Sequence, residues 1–289
     1  MENKNKMKIK WTNKYNYPEI LADALKYDDY DVEPSANIIS VTSLIKSPRI
    51  RKYELNPDAE VERDVSDNLW LLLGKSVHKI LESSGSKYIR ELRLDKIFNN
   101  MTLTGKFDYY DYKTQTLGDF KITSKYIKDA RKDWEKQLNI LSYLVEDILD
   151  LKVNRLEVTA VARDFMKKDQ YSSQFQDSPV TVFGIEKWNK ATTEMYIRKR
   201  LLLHSNYNDY ICNDEDKWSK PVTYAVTKPN SSRAYRVLDN IDEASEVLRK
   251  LSDKSYTIEI RPSEDVFCKD YCPVRSICEI NKEREKLWN

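Results

Sequence analysis

The chain reads MTLTGKFDYYDYKTQTLGDFKITS from Met101 to Ser124. Apolar and polar residues alternate on both sides of a polar turn, which is typical of a β-hairpin. Side chains along a strand alternate between its two faces, so Asp119 and Lys121 share a face. With a turn centred on Thr114-Gln115, residue 108 lies across from residue 121, and Asp108 joins the other two on that face.

This group of side chains suggests phosphodiester chemistry. Two carboxylates on one spot repel each other unless a cation neutralises them, and their hard oxygens suit Mg²⁺ or Mn²⁺. A neighbouring lysine can orient and deprotonate a water or stabilise the pentavalent charge. The alternative is an exposed hairpin face with ordinary salt bridges, since the same acid-x-lysine spacing recurs at Asp150–Lys152 and Glu215–Lys217.

A histidine strengthens the metal hypothesis. The apolar pattern predicts a helix from Val65 to Glu82, ended by Gly85, on which Gly74 and His78 share a face. Gly74 leaves room for another segment or a DNA backbone, and His78 can reach a metal. A hydrogen-bonded histidine at a helix edge is the alternative, and we assign that role to His204, the second histidine.

The remaining pattern predicts an α/β or α+β fold, because strands and helices flank one another. The predicted elements are a short helix within 43–53 interrupted at Pro48, strands over 88–94 and 155–165, and helices over 133–149, 194–204 and 241–251. We divide the chain into an N-terminal arm with short elements (1–60), a core (61–190) and a C-terminal helical extension carrying cysteines (191–289).

Composition excludes few classes. The 289 residues carry a net charge of +2 and 33% charged residues, too many for a membrane protein. No apolar run approaches a bilayer span, and no secretory signal is evident, so we expect a cytoplasmic protein. Any DNA-binding surface must come from local clustering of charge.

Together these residues resemble the RecB-like branch of the PD-(D/E)XK nuclease superfamily. The motifs are Gly74-x-x-x-His78, Gly105-x-x-Asp108, Asp119-x-Lys121 and Gln137, in the family's order. The resemblance covers about residues 66–280 and includes segments similar to phage-encoded nucleases. It implies a restriction-endonuclease-like core with a mixed central sheet flanked by helices.

The resemblance also implies roles. His78, Asp108, Asp119 and the carbonyl of Phe120 would bind the metal, Lys121 would be the catalytic lysine, and Gln137 would belong to the catalytic group. Glu91 matches an acidic position often present in the family and is held as supporting only. The family's Gln-x-x-x-Tyr is incomplete, because Leu141 stands at the tyrosine position.

The cysteines form a second candidate site: Cys212, Cys268, Cys272 and Cys278. Clustered thiols in a reducing compartment are more often metal ligands than disulfides. A [4Fe–4S] cluster and a structural Zn²⁺ both fit, and unligated thiols remain an alternative. Relatives with a C-terminal cysteine trio hold an iron–sulfur cluster, but their fourth cysteine usually lies upstream of the Gly-x-x-x-His motif, so either Cys212 replaces it or the site is incomplete.

The functional hypothesis is a divalent-metal-dependent DNA nuclease, probably an exonuclease acting in phage recombination, repair or replication, perhaps beside a strand-annealing protein. A catalytically silent nuclease-like module that binds DNA or protein is the alternative. Phosphate contacts are assigned to the basic residues after the catalytic strand, namely Lys125, Lys128, Arg131 and Lys132.

Overall fold

The structure is a computed structural model that describes residues 6–27, 35–83, 87–172 and 178–288. It divides the chain into two compact units, residues 1–210 and 211–289. The predicted helix end at Gly85 lies outside the described residues.

The first unit contains strands and helices in mixed order. Its strands are β1 (Lys8–Thr12), β2 (Ile38–Ser40), β3 (Glu60–Asp64), β4 (Tyr88–Phe98), β5 (Met101–Asp111), β6 (Thr116–Thr123), β7 (Arg155–Ala162) and β8 (Val180–Ile185). Its helices are α1 (Glu19–Lys26), α2 (Val41–Ile45), α3 (Pro48–Glu54), α4 (Leu69–Ser83), α5 (Lys132–Ile148) and α6 (Lys190–Ser205).

A mixed sheet forms the centre of this unit. The strands follow the order β2-β5-β6-β7-β8, with β4 paired to the other edge of β5. The β4–β5, β5–β6 and β7–β8 pairs are antiparallel, whereas β2–β5 and β6–β7 are parallel. The predicted mixed α/β fold is therefore confirmed.

Helix α5 packs against one face of the sheet and supplies much of the core. Leu138, Leu141 and Leu144 are fully buried there. The close approach requires a glycine in β5, because a Cβ at Gly105 would lie 2.7 Å from Leu141 and 2.9 Å from Val41. Gly105 therefore sets how near the helix can lie to the strand that carries Asp108.

Helix α4 lies on the opposite face of the sheet. Along β7, Leu156 and Val158 belong to the core beneath α5, so the intervening Glu157 points away from α5. Glu157 lines a cavity together with Leu81 of α4. The N-terminal part of α4 packs through Leu72 on a small cluster around α1.

The second unit is a smaller α/β structure. Its strands are β9 (Ser219–Lys220), β10 (Thr223–Thr227), β11 (Arg236–Leu238), β12 (Thr257–Arg261) and β13 (Glu264–Asp265). Its helices are α7 (Asp214–Lys217), α8 (Ile241–Lys250) and α9 (Glu279–Trp288). Strands β11-β10-β12 form an antiparallel sheet on which α8 packs through Ala244, and β9 pairs with β13.

The structural boundaries differ from the sequence-based division. Helix α6 belongs to the first unit, because Ile197 and Leu201 are buried in its core. The boundary therefore falls after Tyr210 rather than after residue 190. The C-terminal unit carries a three-stranded sheet in addition to the predicted helices, and residues 1–60 form part of the first unit.

None of the helices in the described ranges is long and apolar enough to cross a bilayer.

The buried His204 generates a prediction about acid stability. Its side chain is 1% exposed, and its Nε2 lies 3.1 Å from the carbonyl oxygen of Leu44. Burial lowers the pKa of His204 from 6.5 to about 3. Below pH 6.5 the unfolded chain therefore binds a proton that the folded chain does not. The free energy of unfolding consequently decreases as the pH is lowered from 6.5 towards 3.

For His204→Gln, which keeps a hydrogen-bond donor, we expect this pH dependence to disappear. Wild type should lose about 2 kcal/mol more than the variant between pH 7 and pH 5. Urea unfolding at both pH values measures the difference. Equal losses in the two proteins would show that His204 is not the group responsible.

Candidate metal centre

Asp108 lies where the pairing of β5 with β6 ends. The two strands pair from Asp111–Thr116 to Tyr109–Gly118, and continuing that register places Asp108 across from Asp119. Beyond this point the strands separate, and the backbone N–H of Phe120 donates to Oδ2 of Asp108 at 2.6 Å. The Asp108 carboxylate thus accepts the hydrogen bond that a backbone carbonyl would accept in a continuous strand pair.

This register corrects the sequence-based pairing, which set residue 108 across from residue 121. The turn closes one residue earlier because Asp111 accepts hydrogen bonds from the N–H of Lys113 and the hydroxyl of Thr114. Each residue of β5 therefore lies across from a residue of β6 that is two positions earlier in the chain than predicted. A shift of two leaves the alternation of side chains along each strand unchanged, and Asp119 lies near enough to Asp108 to raise its pKa.

The pairing of β5 with its other neighbour, β4, is also interrupted, and Glu91 lies at that break. The β4–β5 ladder pairs 88–90 with 109–111 and 92–98 with 101–107, and it omits only the pair formed by Glu91 and Asp108. Glu91 has a left-handed φ of 51°, a conformation that costs a non-glycine residue about 1–3 kcal/mol. Lys106 holds its carboxylate at 2.5 Å.

His78 reaches this interruption from α4. Its Nδ1 lies 3.5 Å from Oδ1 of Asp108 and 3.8 Å from Oε1 of Glu91. One donor atom from each of the three residues lies within 4.8 Å of the others. These three residues would be able to hold a divalent cation such as Mg²⁺, which commonly keeps several waters as further ligands.

Asp119 completes the acidic side of the centre. It is 3% exposed, and its Oδ2 lies 2.6 Å from Nζ of Lys121 without good hydrogen-bond geometry. Gln137 on α5 donates to Oδ1 at 3.2 Å. Asp119 therefore faces Lys121 and Gln137 on one side and Asp108 on the other.

Burial and neighbouring charges shift the pKa values of Asp108 and His78. Burial, followed by the charge of Asp119, raises the pKa of Asp108 to about 7. The neighbouring Glu91 raises the pKa of His78 despite the opposing effect of burial. Asp108 and His78 therefore both hold their protons more tightly than they would in water.

Lys121 and Glu91 keep their charges. Burial alone would lower the pKa of Lys121, but the charge of Asp119 raises it above its ordinary value. Burial alone would raise the pKa of Glu91, but hydrogen bonds from His78 and Lys106 lower it. The centre therefore contains a cationic lysine and an anionic glutamate.

The other predicted side chains are more dispersed. Gly74 has open space where a Cβ would be, as expected if room is needed for a ligand. Lys125 lies 3.0 Å from Asp169 with its side chain 10% exposed. Lys128, Arg131 and Lys132 are exposed around the start of α5.

The predicted cysteine set lies wholly within the second unit. All four residues are half-buried thiols. Burial, and then the charges of the other three thiols, raise the pKa of Cys268 to about 11. The structure therefore brings Cys212 into electrostatic range of Cys268, Cys272 and Cys278.

Comparisons with known proteins show only distant similarity. No family model matches the chain, and no curated protein matches it. Among solved structures, the protein named SSO0001 has a TM-score of 0.45 and 17% identity over 64% of this chain and 84% of that chain. A phage related exonuclease from Haemophilus somnus 129PT has a TM-score of 0.31 and 16% identity over 47% of this chain and 67% of that chain.

Sequence reasoning gave Glu91 too little weight. Its carboxylate is nearer to His78 and Asp108 than the sequence motifs imply, whereas Asp119 lies outside the group of donors within 4.8 Å. The available signal was an acid on the strand that precedes the hairpin. Its left-handed backbone, which aims the carboxylate, carries no sequence signature because the residue is not glycine.

We expect Glu91→Gln to weaken Mn²⁺ binding by at least about tenfold, since even residues that only support a metal ligand contribute 10–100-fold. Isothermal titration with Mn²⁺ measures the affinity. Glu62→Gln is the matched control, because Glu62 forms an exposed ion pair with Lys10 on another sheet. Equal affinities in wild type and Glu91→Gln would remove Glu91 from the centre.

Proposed function

We propose that the protein is a divalent-metal-dependent DNA nuclease, most simply an exonuclease. The observation that supports this proposal is the grouping of Asp108 and the buried Asp119, with His78 and Glu91 beside Asp108 and Lys121 beside Asp119. Two neighbouring carboxylates favour a bound cation, and the ammonium of Lys121 lies beside Asp119.

The residues present fit a hard divalent cation such as Mg²⁺ or Mn²⁺. Carboxylate oxygens and one imidazole are suitable donors, and burial and the charge of Asp119 raise the pKa of Asp108 to about 7, a shift that a bound cation would oppose. His78, Glu91 and Asp108 would hold the ion, with Asp119 and the Phe120 carbonyl as further ligands. When bound, it would polarise the phosphate and lower the pKa of water.

Lys121 would act as a positioned cation. Its pKa is raised by Asp119, so the ammonium keeps its proton at neutral pH and cannot serve as a base in that state. It can donate hydrogen bonds to a water or to a phosphate oxygen as negative charge increases there. Asp119 fixes the ammonium at 2.6 Å.

Gln137 would act as a positioning residue. Its amide donates to Oδ1 of Asp119 at 3.2 Å, which leaves Oδ2 directed to Lys121. The contact orients the carboxylate without adding charge. This role does not depend on the tyrosine that the family places four residues later, where this chain has Leu141.

The proposed DNA contacts would come from exposed cations near the start of α5. Lys128, Arg131 and Lys132 are accessible, and phosphate binding by such residues supplies affinity without sequence preference. Lys125 is engaged by Asp169, so its contribution to phosphate binding would require that ion pair to open.

We expect Asp119→Asn to lower the rate of DNA cleavage at least about 100-fold, because a metal ligand matters more than the residues that support one. Cleavage of end-labelled single- and double-stranded DNA in Mg²⁺ or Mn²⁺ measures the rate. Chelation of the metal with EDTA should abolish the wild-type reaction.

Asp95→Asn is the matched control, since Asp95 is an exposed aspartate on β4, four residues after Glu91. It should cleave like wild type. Equal rates for wild type and Asp119→Asn would contradict the assignment, and binding of DNA with no cleavage in any metal would favour the silent module.

A second, structural cofactor is proposed for the four cysteines. Burial, and then the neighbouring thiols, raise the pKa of Cys268 and Cys272 to about 11, and a thiophilic metal would displace their protons. Cys268 lies in the π-helical turn Phe267–Tyr271, and the ring of Trp218 lies 5.0 Å from that of Phe267 in the same turn. The cofactor would stabilise this unit.

An iron–sulfur cluster fits the spacing better than zinc. In the described residues, the group of three or more candidate ligands whose donor atoms lie within 4.8 Å is His78, Glu91 and Asp108, which includes no cysteine. Four thiolates around one Zn²⁺ lie about 3.8 Å apart at a Zn–S distance of about 2.3 Å. A [4Fe–4S] cluster separates its ligands more widely.

Protein purified without oxygen should be brown and contain iron and sulfide. Cys272→Ser should lose both the visible absorption and the iron, because one thiolate ligand is gone, whereas Ser276→Ala, an exposed neighbour, should keep them. Elemental analysis that finds zinc in a colourless protein, or no metal at all, would contradict the cluster.

A further inference from the structure

A cavity of about 260 Å³ adjoins the metal centre in the first unit. It lies between Leu81 of α4 and the face of the sheet that α5 does not cover. Glu91 and Asp108 form one end of the cavity, and Glu157 forms another part of its wall. Its volume is just below the ~300–1,000 Å³ of typical small-ligand pockets.

Aromatic rings form much of the wall. Tyr109 lies 5.8 Å from Tyr88 at an interplanar angle of 72° and 5.3 Å from Phe120 at 39°. All three rings line the cavity. Such rings offer stacking and edge contacts to a flat, unsaturated ligand.

The central ring is fixed in position by its neighbours. The hydroxyl of Tyr109 donates to Oε1 of Glu157 at 2.7 Å. Its ring covers Gly118, where a Cβ would lie 2.1 Å from Cζ of Tyr109. The absence of a side chain at Gly118 therefore lets Tyr109 lie flat along β6, and the wall exists before any ligand binds.

The charge of the cavity disfavours a phosphate. The lining side chains described by the structure include the acids Glu91, Asp108, Asp111 and Glu157, against the single cation Arg90. Carboxylates repel an anion and accept hydrogen bonds from N–H groups. A neutral planar group with N–H donors fits both the rings and the acids.

We propose that this cavity binds the base of the terminal nucleotide while its phosphodiester lies at the metal centre. The inference rests on the proposed nuclease function, and it assigns the substrate's base to a specific site. The base would stack on Tyr109 beside Phe120, with Tyr88 at the entrance, where 42% of its side-chain surface is exposed. Base stacking is tolerant of sequence, which suits an enzyme that degrades any end.

Titration of full-length protein with deoxyadenosine in EDTA, followed by saturation-transfer NMR, tests the cavity without catalysis. Deoxyadenosine should bind, and 2-deoxyribose 5-phosphate should not, because the cavity selects a base over a phosphate. Tyr88→Ala should weaken deoxyadenosine binding by about fivefold or more, the lower range for one aromatic–base stack. Tyr171→Ala is the matched control, since Tyr171 is 84% exposed and does not line the cavity.

Cleavage supplies a second measurement. Wild type should remove a natural terminal nucleotide at least about fivefold faster than a terminal nucleotide without a base, and Tyr88→Ala should lose that preference, whereas the control Tyr171→Ala should keep it. Equal binding of the two ligands, or unchanged deoxyadenosine affinity in Tyr88→Ala, would overturn the proposal. If no DNA is cut at all, the nuclease function fails, and the deoxyadenosine titration still decides the cavity.

Discussion

Repulsion between two neighbouring carboxylates is the constraint around which the site is arranged. Asp119 is buried, and its charge, together with burial of Asp108, raises the pKa of Asp108 to about 7. An interaction of this kind is unfavourable for folding unless neighbouring cations or protons reduce it. Lys121 lies next to Asp119, and His78 lies next to Asp108. The charges of the site are thus arranged around one electrostatic problem, which a divalent cation would solve more completely.

The fold keeps the acids together by interrupting its own sheet. Ladders on both sides of β5 break at Asp108, one opposite Glu91 and the other past Gly118. The left-handed Glu91 costs free energy locally, and the packed core under α5, with Gly105 at its closest contact, compensates for it. A regular sheet would have directed these side chains into ordinary cross-strand pairs. The irregular backbone turns them toward one point.

Much of this arrangement could be predicted from the sequence, because strand alternation is a strong constraint. Asp108, Asp119 and Lys121 were expected on one face. In the structure Asp119 contacts Gln137 of α5, whereas Asp108 lines the cavity on the face that α5 does not cover, and the break in the ladder at Asp108 leaves the two acids close enough for Asp119 to raise the pKa of Asp108. Glu91 was underrated, because its importance depends on a backbone conformation with no sequence signature. Helix α6 was assigned to the C-terminal part, because local periodicity shows a buried face through Ile197 and Leu201 but not which core receives it. The short strands β10 to β12 have too few residues for a clear period of two.

The hydrogen bond from Phe120 to Asp108 links the backbone directly to the charge of the site. An ionised carboxylate is a stronger acceptor than a neutral one, and a carboxylate that also faces a metal ion shares its lone pairs. The amide proton of Phe120 is therefore a natural spectroscopic reporter: its resonance position encodes whether Asp108 carries a proton, a bare charge or a coordinated ion, without any label being added to the protein.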